Sequence, residues 1–274
     1  SVNGLLPGRQ YRYEIRSGDS ILSSSDAQTL TTPLEVESEK KVKLAFGSCA
    51  WDVSFPEQPV WTSIDRSGAD AMILLGDTPY IDSTQLPVLR QRYRDFWGVK
   101  ELKELMRHTP IYAVWDDHDY GSNDALGAIG GRENSRQVFL EYHANPEYGV
   151  DDEGIFCKFR RGPVEVFLLD TRWFANTEAS PFDSERKTLI GSKQWKWLKQ
   201  SLTESTAPLK VLACGMIWNE AARPGKLDYW MAYPYEREGL FAFLNQQQIS
   251  GVVLIGGDIH RSRHLIHPTR DRIG

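Results

Sequence analysis

Residues 251–260 read Gly-Val-Val-Leu-Ile-Gly-Gly-Asp-Ile-His. A short apolar run bounded by glycines is the pattern of a buried strand. Two glycines after it allow close backbone approach. The i, i+2 spacing of Asp258 and His260 directs both side chains to one side of an extended segment. This strand therefore ends by delivering a carboxylate and an imidazole to one edge, unless the pair merely caps a turn.

The same arrangement recurs along the chain. Val42–Gly47 runs into Ser48-Cys49, and Ala71–Leu75 into Gly76-Asp77. Pro110–Trp115 runs into Asp116-Asp117-His118-Asp119, and Val164–Leu169 into Asp170. Ligands of open α/β sheets bind beyond the carboxyl ends of the strands. Five strands bringing Asp, His or Cys to such an edge would repel one another unless a cation sat among them. In the 116–119 block, strand-end geometry lets at most two side chains enter a common site. Asp117 is the expected ligand and His118 the expected catalytic group.

Further strands are expected at Gly154–Arg160 and Pro208–Ala213. Helices are expected at Val60–Arg66, Leu86–Trp97, Lys100–Arg107, Glu133–Tyr142, Ser192–Leu202 and Glu236–Gln247. Strand and helix alternate, which predicts an α/β fold of layers around a buried sheet. The adjacent strands of 154–169, turning near Arg161-Gly162, read as a hairpin, so the sheet should be mixed. The first residues differ. Tyr11, Tyr13 and Ile15 alternate with polar residues, and a second short strand leads to Thr29–Thr32. Residues 1–33 thus read as the last hairpin of a β-sandwich domain, 34–41 as a polar linker, and 42–274 as the main domain.

At 274 residues and a net charge of −5, the chain has no broad basic surface, which argues against a dedicated nucleic-acid partner. No apolar run is long enough to span a bilayer as a helix. The three cysteines cannot form a complete disulfide set. Cys157 and Cys214 sit in apolar runs and read as buried thiols, whereas Cys49 is either a third buried thiol or a ligand. Of the nine tryptophans, most read as core, while Trp51, Trp173, Trp218 and Trp230 follow strands and could line a pocket or touch lipid. His108, His143, His264 and His267 read as surface or capping residues. A serine-nucleophile hydrolase would need a Gly-x-Ser-x-Gly elbow, and Gly47-Ser48-Cys49 lacks the second Gly.

The order Gly76-Asp77, Asp117-His118, Asp258-Ile259-His260 resembles the calcineurin-like metallophosphoesterases. Phe46–Cys49 stands where that superfamily has Asp-x-His, Asp117 where it has Asn, and Asp258 where it has His. Those departures resemble the PhoD (alkaline phosphatase D) family. Further matching stretches are Leu75–Tyr80, Tyr93-Arg94, Leu169–Arg172 and Asp228–Arg237. The resemblance implies a layered metallophosphoesterase sandwich of mixed sheets flanked by helices, preceded by the end of a small β-sandwich and running on past Gly274. It implies iron (Fe3+) and calcium, with other divalent metals possible, held by Cys49, Asp77, Tyr93, Asp117, Asp258 and His260. Cys49 matches the thiolate ligand and Tyr93 the phenolate, although Tyr93 also fits plain helix packing. The implied reaction is hydrolysis of a phosphate mono- or diester by metal-activated hydroxide, with His118 as general acid. Arg132 and Arg261 are candidates for binding the phosphate, or else surface arginines. The substrate would be a small phosphate ester, a phospholipid or a polymer, and the location secreted, periplasmic or cell-surface. The competing readings are a phospholipase-like diesterase and a non-catalytic metal-binding relative.

Overall fold

The computed structural model describes residues 4–38 and 40–266; His267 and the chain beyond it lie outside the described residues. Strand β1 (Gln10–Ser17) and strand β2 (Ser20–Thr31) pair antiparallel as a sheet of their own. The second strand is longer than its sequence suggested. Gly18 makes the turn at φ +56°, where a Cβ would be strained. The hairpin touches the main body through the Tyr13 hydroxyl, which donates to the Arg107 carbonyl at 3.2 Å.

Beyond it the chain alternates as expected. Strand β3 (Leu44–Gly47), helix α1 (Pro59–Arg66), strand β4 (Ala71–Leu75), helices α2 (Leu86–Trp97) and α3 (Lys100–Met106) and strand β5 (Ile111–Val114) come first. The three strands form a parallel sheet in the order β3-β4-β5. Parallel strands need long crossovers, and the intervening helices supply them. Central β4 is buried at every residue, so it reads as an unbroken apolar run. At the sheet edge, Asn145 covers β5 by pairing with both the amide and the carbonyl of Ala113, at 3.1 and 2.7 Å.

Helices α4 (Asp117–Tyr120) and α5 (Arg132–Tyr142) follow, then strands β6 (Cys157–Arg161) and β7 (Val164–Leu168) and the small hairpin β8 (Ala179–Ser180) and β9 (Asp183–Lys187). Helix α6 (Gly191–Glu204), strand β10 (Leu209–Cys214), helix α7 (Pro234–Gln246) and strand β11 (Val252–Gly256) complete the order. The second sheet runs β11-β10-β7-β6, with β6 antiparallel to β7 and the rest parallel. It is therefore mixed, as the hairpin at 154–169 predicted. The α4 turn and the β8–β9 hairpin had no clear periodicity in the sequence, being too short to show one.

The two sheets stack. One core cluster draws Ile73, Leu74 and Val114 from the first sheet and Phe159, Val166, Leu168 and Val211 from the second. A second cluster places Phe167, Leu169, Leu212 and Cys214 against Trp195, Leu198 and Leu202 of α6 and Leu240 of α7. On β7 the residues alternate between the two clusters with the period of two that a strand buried on both faces requires. Trp195, Leu198 and Leu202 fall on one helical face at spacings of three and four. No helix among the described residues is long and apolar enough to cross a membrane.

His143 stands at the C-cap of α5, as expected of a capping residue, and is also packed among aromatic rings. His143 stacks on Phe139 at 4.1 Å, with Tyr93 and Trp97 edge-on to it. Its Nδ1 faces the Phe139 carbonyl at 3.0 Å, while Nε2 is sealed from solvent without a hydrogen-bond partner. Burial lowers its pKa from 6.5 to about 4, because the imidazolium cannot be hydrated there. The unfolded chain takes up this proton first on acidification, so stability falls as pH drops from about 6.5 to about 4. We expect a loss of at most about 3 kcal/mol over that window. Urea unfolding of His143→Phe should show a shallower decline there than the parent chain.

Candidate metal centre

The strand ends converge because glycines let them. A Cβ on Gly76 would lie 2.4 Å from Asp116, one on Gly215 2.5 Å from the Asp116 side chain, and one on Gly257 2.6 Å from the Leu75 carbonyl. The carboxyl edges of both sheets are thus pressed together at backbone contact distance. Cys49, Asp77, Asp258 and His260 all hold positive φ, between 53° and 71°. Side chains rarely adopt that conformation, and such residues concentrate at functional sites.

Two donor groups result. Cys49, Asp77 and His260 place one donor atom each within 4.8 Å of one another, and so do Asp77, Asp117 and His118. Asp77 belongs to both. Its Oδ2 lies 3.4 Å from the Cys49 sulfur and its Oδ1 3.4 Å from the His118 amide. A third group joins Asp117, Asp124 and Asp228. Asp258 sits alongside, bridged to Asp228 by the Lys226 ammonium at 2.8 and 2.7 Å. Of the buried carboxylate oxygens, Asp116 Oδ2, Asp117 Oδ1 and Asp258 Oδ2 lack a hydrogen-bond partner. A buried orphan oxygen costs free energy unless something positive meets it.

The electrostatics agree. Burial, then the charges of Asp119 and Asp117, push Asp77 well above the carboxylate range. Burial likewise raises Asp116, Asp119 and Asp258. Burial would raise Asp117 too, but the Arg172 guanidinium and the Asp124 amide outweigh it, and its pKa falls below the usual value. Burial and then Asp77 push the Cys49 thiol far up, and burial with Cys49 does the same to the Tyr80 phenol. Thiolate and phenolate are unfavourable here on the protein's own charges. A bound cation inverts that preference. Thiol, imidazole and carboxylate donors suit a transition metal, and the oxygen-only group suits a hard ion such as calcium.

Arg172 offsets part of the charge. Its side chain has no solvent exposure, and it meets Asp116 at 2.7 Å, Asp228 at 3.1 Å and Asp117 at 3.8 Å. His118 is oriented by Asp82, whose Oδ1 lies 2.7 Å from Nδ1, leaving Nε2 for the site. The ring also packs on Tyr80, at 4.5 Å between centroids. Arg92 ties the two flanking loops together, meeting the Asp52 carboxylate at 2.7 and 3.2 Å and the Tyr80 carbonyl at 3.1 Å.

Cys49, Asp77, Asp117, His118 and His260 therefore gather as the sequence predicted, and Asp258 lies among them. Tyr93 does not. It is buried with Ile81, Leu89 and Val138 and stacks on Tyr142 at 5.2 Å, so helix packing holds it. The tyrosine at the site is Tyr80, whose hydroxyl lies 2.9 Å from His260 Nε2 and beside Cys49. Arg132 lies over the Trp173 ring at 4.2 Å and donates to the Trp173 carbonyl, outside the donor groups. Arg261 is exposed and donates to the Ile259 carbonyl, next to His260. Asp170 is not a free strand-end ligand either. It accepts from Trp115 Nε1 and from the amides of Ile155, Arg172 and Trp173, at 2.8–3.0 Å. Trp173, Trp218 and Trp230 are buried, and only Trp51 of that quartet reaches solvent, at 48%.

The model of the PhoD-like phosphatases matches residues 44–268, which covers every donor named above. The chain belongs to the PhoD-like phosphatase family. It is 26% identical over 310 aligned positions to alkaline phosphatase D of Bacillus subtilis, with 95% of this chain and 52% of that protein covered. The chain thus spans about half the length of this curated relative. The solved structure of PhoD superposes with a TM-score of 0.77 at 21% identity, covering 94% of this chain and 58% of that one. Purple acid phosphatase PPD1 from yellow lupin (Lupinus luteus) seeds superposes with a TM-score of 0.65 at 11% identity, covering 93% and 44%. Both share the layered α/β fold.

Several site residues of this family member were not picked out from sequence: Tyr80, Asp82, Asp124, Arg172, Lys226 and Asp228. Tyr80 and Arg172 lie inside matching stretches, and the spacing Asp77-x-x-Tyr80 was the available signal. Arg172→Met, studied with chelator present, should lose about 3–5 kcal/mol of unfolding free energy, because the fully buried Asp116 then lacks its cation and Asp117 and Asp228 lose part of theirs. Urea denaturation measures this directly.

Proposed function

We propose that this chain hydrolyses phosphate esters with metal ions held at the converged strand ends. The observation that carries the reading is Asp77, which belongs to two donor groups and has Oδ2 3.4 Å from the Cys49 sulfur. A carboxylate so placed suits a pair of cations close together. Cys49, Asp77, Tyr80 and His260 would hold the thiolate-binding ion, for which iron is our choice. Asp77, Asp117 and the neighbouring acids would hold calcium. Asp258, between the two sides, is a further ligand. The ions when bound would offset phosphate charge and acidify water.

The protein's own residues supply the rest. Asp82 fixes His118 through Nδ1, so that Nε2 can present a proton to the leaving oxygen. Asp119 accepts the Asp116 amide in a capping box and so holds the short helix that carries His118. Arg172 keeps the carboxylates from repelling one another apart. Arg261, exposed beside His260, remains a candidate for the substrate phosphate, whereas Arg132 is occupied elsewhere. We favour a small phosphate mono- or diester as substrate and a location outside the cytoplasm, in line with the family resemblance. Trp51 packs on Tyr80 and lies half-exposed beside Cys49, which leaves lipid headgroups as a second substrate class.

The chain purified without added metal should carry iron and calcium by mass spectrometry, and chelator should abolish hydrolysis of aryl phosphates. Cys49→Ala and Tyr80→Phe should each lose visible charge-transfer absorbance, whereas Tyr93→Phe should keep it. A folded chain that binds no metal and turns nothing over would sink the proposal. For His118, removal should cost about 10²–10⁴ in rate on alkyl phosphates. The loss should be much smaller on nitrophenyl esters, whose leaving groups need no proton. Equal losses on both would remove His118 from the role of acid.

A further inference from the structure

Lys226 stands where a lysine is least expected in a site built for metal. It sits between two short helical turns, 220–222 and 230–232, and next to Leu227, which is 85% exposed. Yet its own side chain is only 10% exposed, and its Nζ lies between Asp228 and Asp258. Asp228 is also a member of the Asp117, Asp124 and Asp228 donor group. Two buried oxygens in the neighbourhood, Asp117 Oδ1 and Asp258 Oδ2, have no hydrogen-bond partner. The lysine thus adds its charge beside Arg172, which already meets Asp117 and Asp228, and the two oxygens still lack a hydrogen-bond partner.

The tether has few other anchors, its amide donating to the Arg223 carbonyl at a long 3.4 Å. Gly225 has open space around it and a φ of +85°, and Leu227 packs on little. Moving the ammonium out therefore breaks chiefly its two charge-assisted hydrogen bonds. A divalent ion entering the oxygen-only group would meet the ammonium at Asp228, and like charges at that distance repel.

We propose that Lys226 is a displaceable internal cation, so that its ammonium and a hard divalent ion are alternative occupants of the Asp228 side of the site. This rests on the metal-site reading above. In that arrangement the lysine holds the carboxylates together before metal arrives. It also lowers the affinity for the divalent ion, because binding must first expel it. A calcium-loaded site has the Lys226 side chain turned out on its exposed loop.

The test is calorimetric titration of Ca2+ into the metal-depleted full chain and its Lys226→Met, Lys226→Gln and Lys226→Arg variants, with folding checked by near-UV circular dichroism. We expect Lys226→Met and Lys226→Gln to bind Ca2+ at least tenfold more tightly than the parent chain, and Lys226→Arg no more tightly. Both neutral variants should also melt at lower temperature in chelator and gain more from Ca2+ than the parent does. Unchanged or weaker Ca2+ binding in the folded neutral variants overturns the proposal while leaving the metal site standing. So does tightening in Met but not Gln, because charge would then not be the determinant. Absence of Ca2+ and iron binding in every protein, parent included, overturns the metal-site reading and this proposal with it.

Discussion

A guanidinium with no solvent exposure sits at the centre of this molecule. Arg172 meets Asp116, Asp117 and Asp228, which come from the end of β5, the start of α4 and the loop before α7. Two adjacent carboxylates and a third from far along the chain are costly to bring into one buried place without a cation to meet them. The position of Arg172 is itself fixed from behind. Asp170 accepts the Arg172 amide and three other donors, which pins the turn after β7. The apolar sheets supply the stability, but this charge network decides how their ends face each other.

The second constraint is the closeness of that approach. Gly76, Gly215 and Gly257 lie where any Cβ would strike Asp116, Leu75 or Ser48. Cys49, Asp77, Asp258 and His260 at these strand ends hold a left-handed conformation, with Asp77 and Asp258 buried and His260 exposed at the rim. Preorganisation of this sort holds donors in place before any ion binds. The unfavourable electrostatics of the ion-free site are its complement: buried acids with raised pKa values, a thiol and a phenol held neutral, and oxygens without partners.

Membership in the PhoD-like phosphatases fits this arrangement of donor groups. Within that frame the donor groups differ in character. The first carries sulfur, imidazole and a neighbouring phenol, whereas the group of Asp117, Asp124 and Asp228 carries oxygen alone. Lys226 belongs to the latter, where a protein cation already stands among the carboxylates.

By itself the sequence determined the alternation of strands and helices, the mixed sheet, and the gathering of Cys49, Asp77, Asp117, His118 and His260. Each of those follows from local rules: apolar runs of strand length, helical periodicity, and polar residues placed just past a strand. Tertiary structure decided what local rules cannot reach. Tyr93 and Tyr80 look alike in sequence, but the face of α2 that carries Tyr93 packs against Val138 and Tyr142, while Tyr80 follows Asp77 directly into the site. Asp170 and Asp77 both end buried strands, yet one is consumed by four backbone and indole donors and the other meets only a thiol and one amide, each at 3.4 Å. Local rules could not assign Arg172 and Asp82 to the site, because their partners Asp116, Asp228 and His118 lie far away along the chain. Pairing between distant charges is set by how the two sheets stack, and that stacking exists only in the folded molecule.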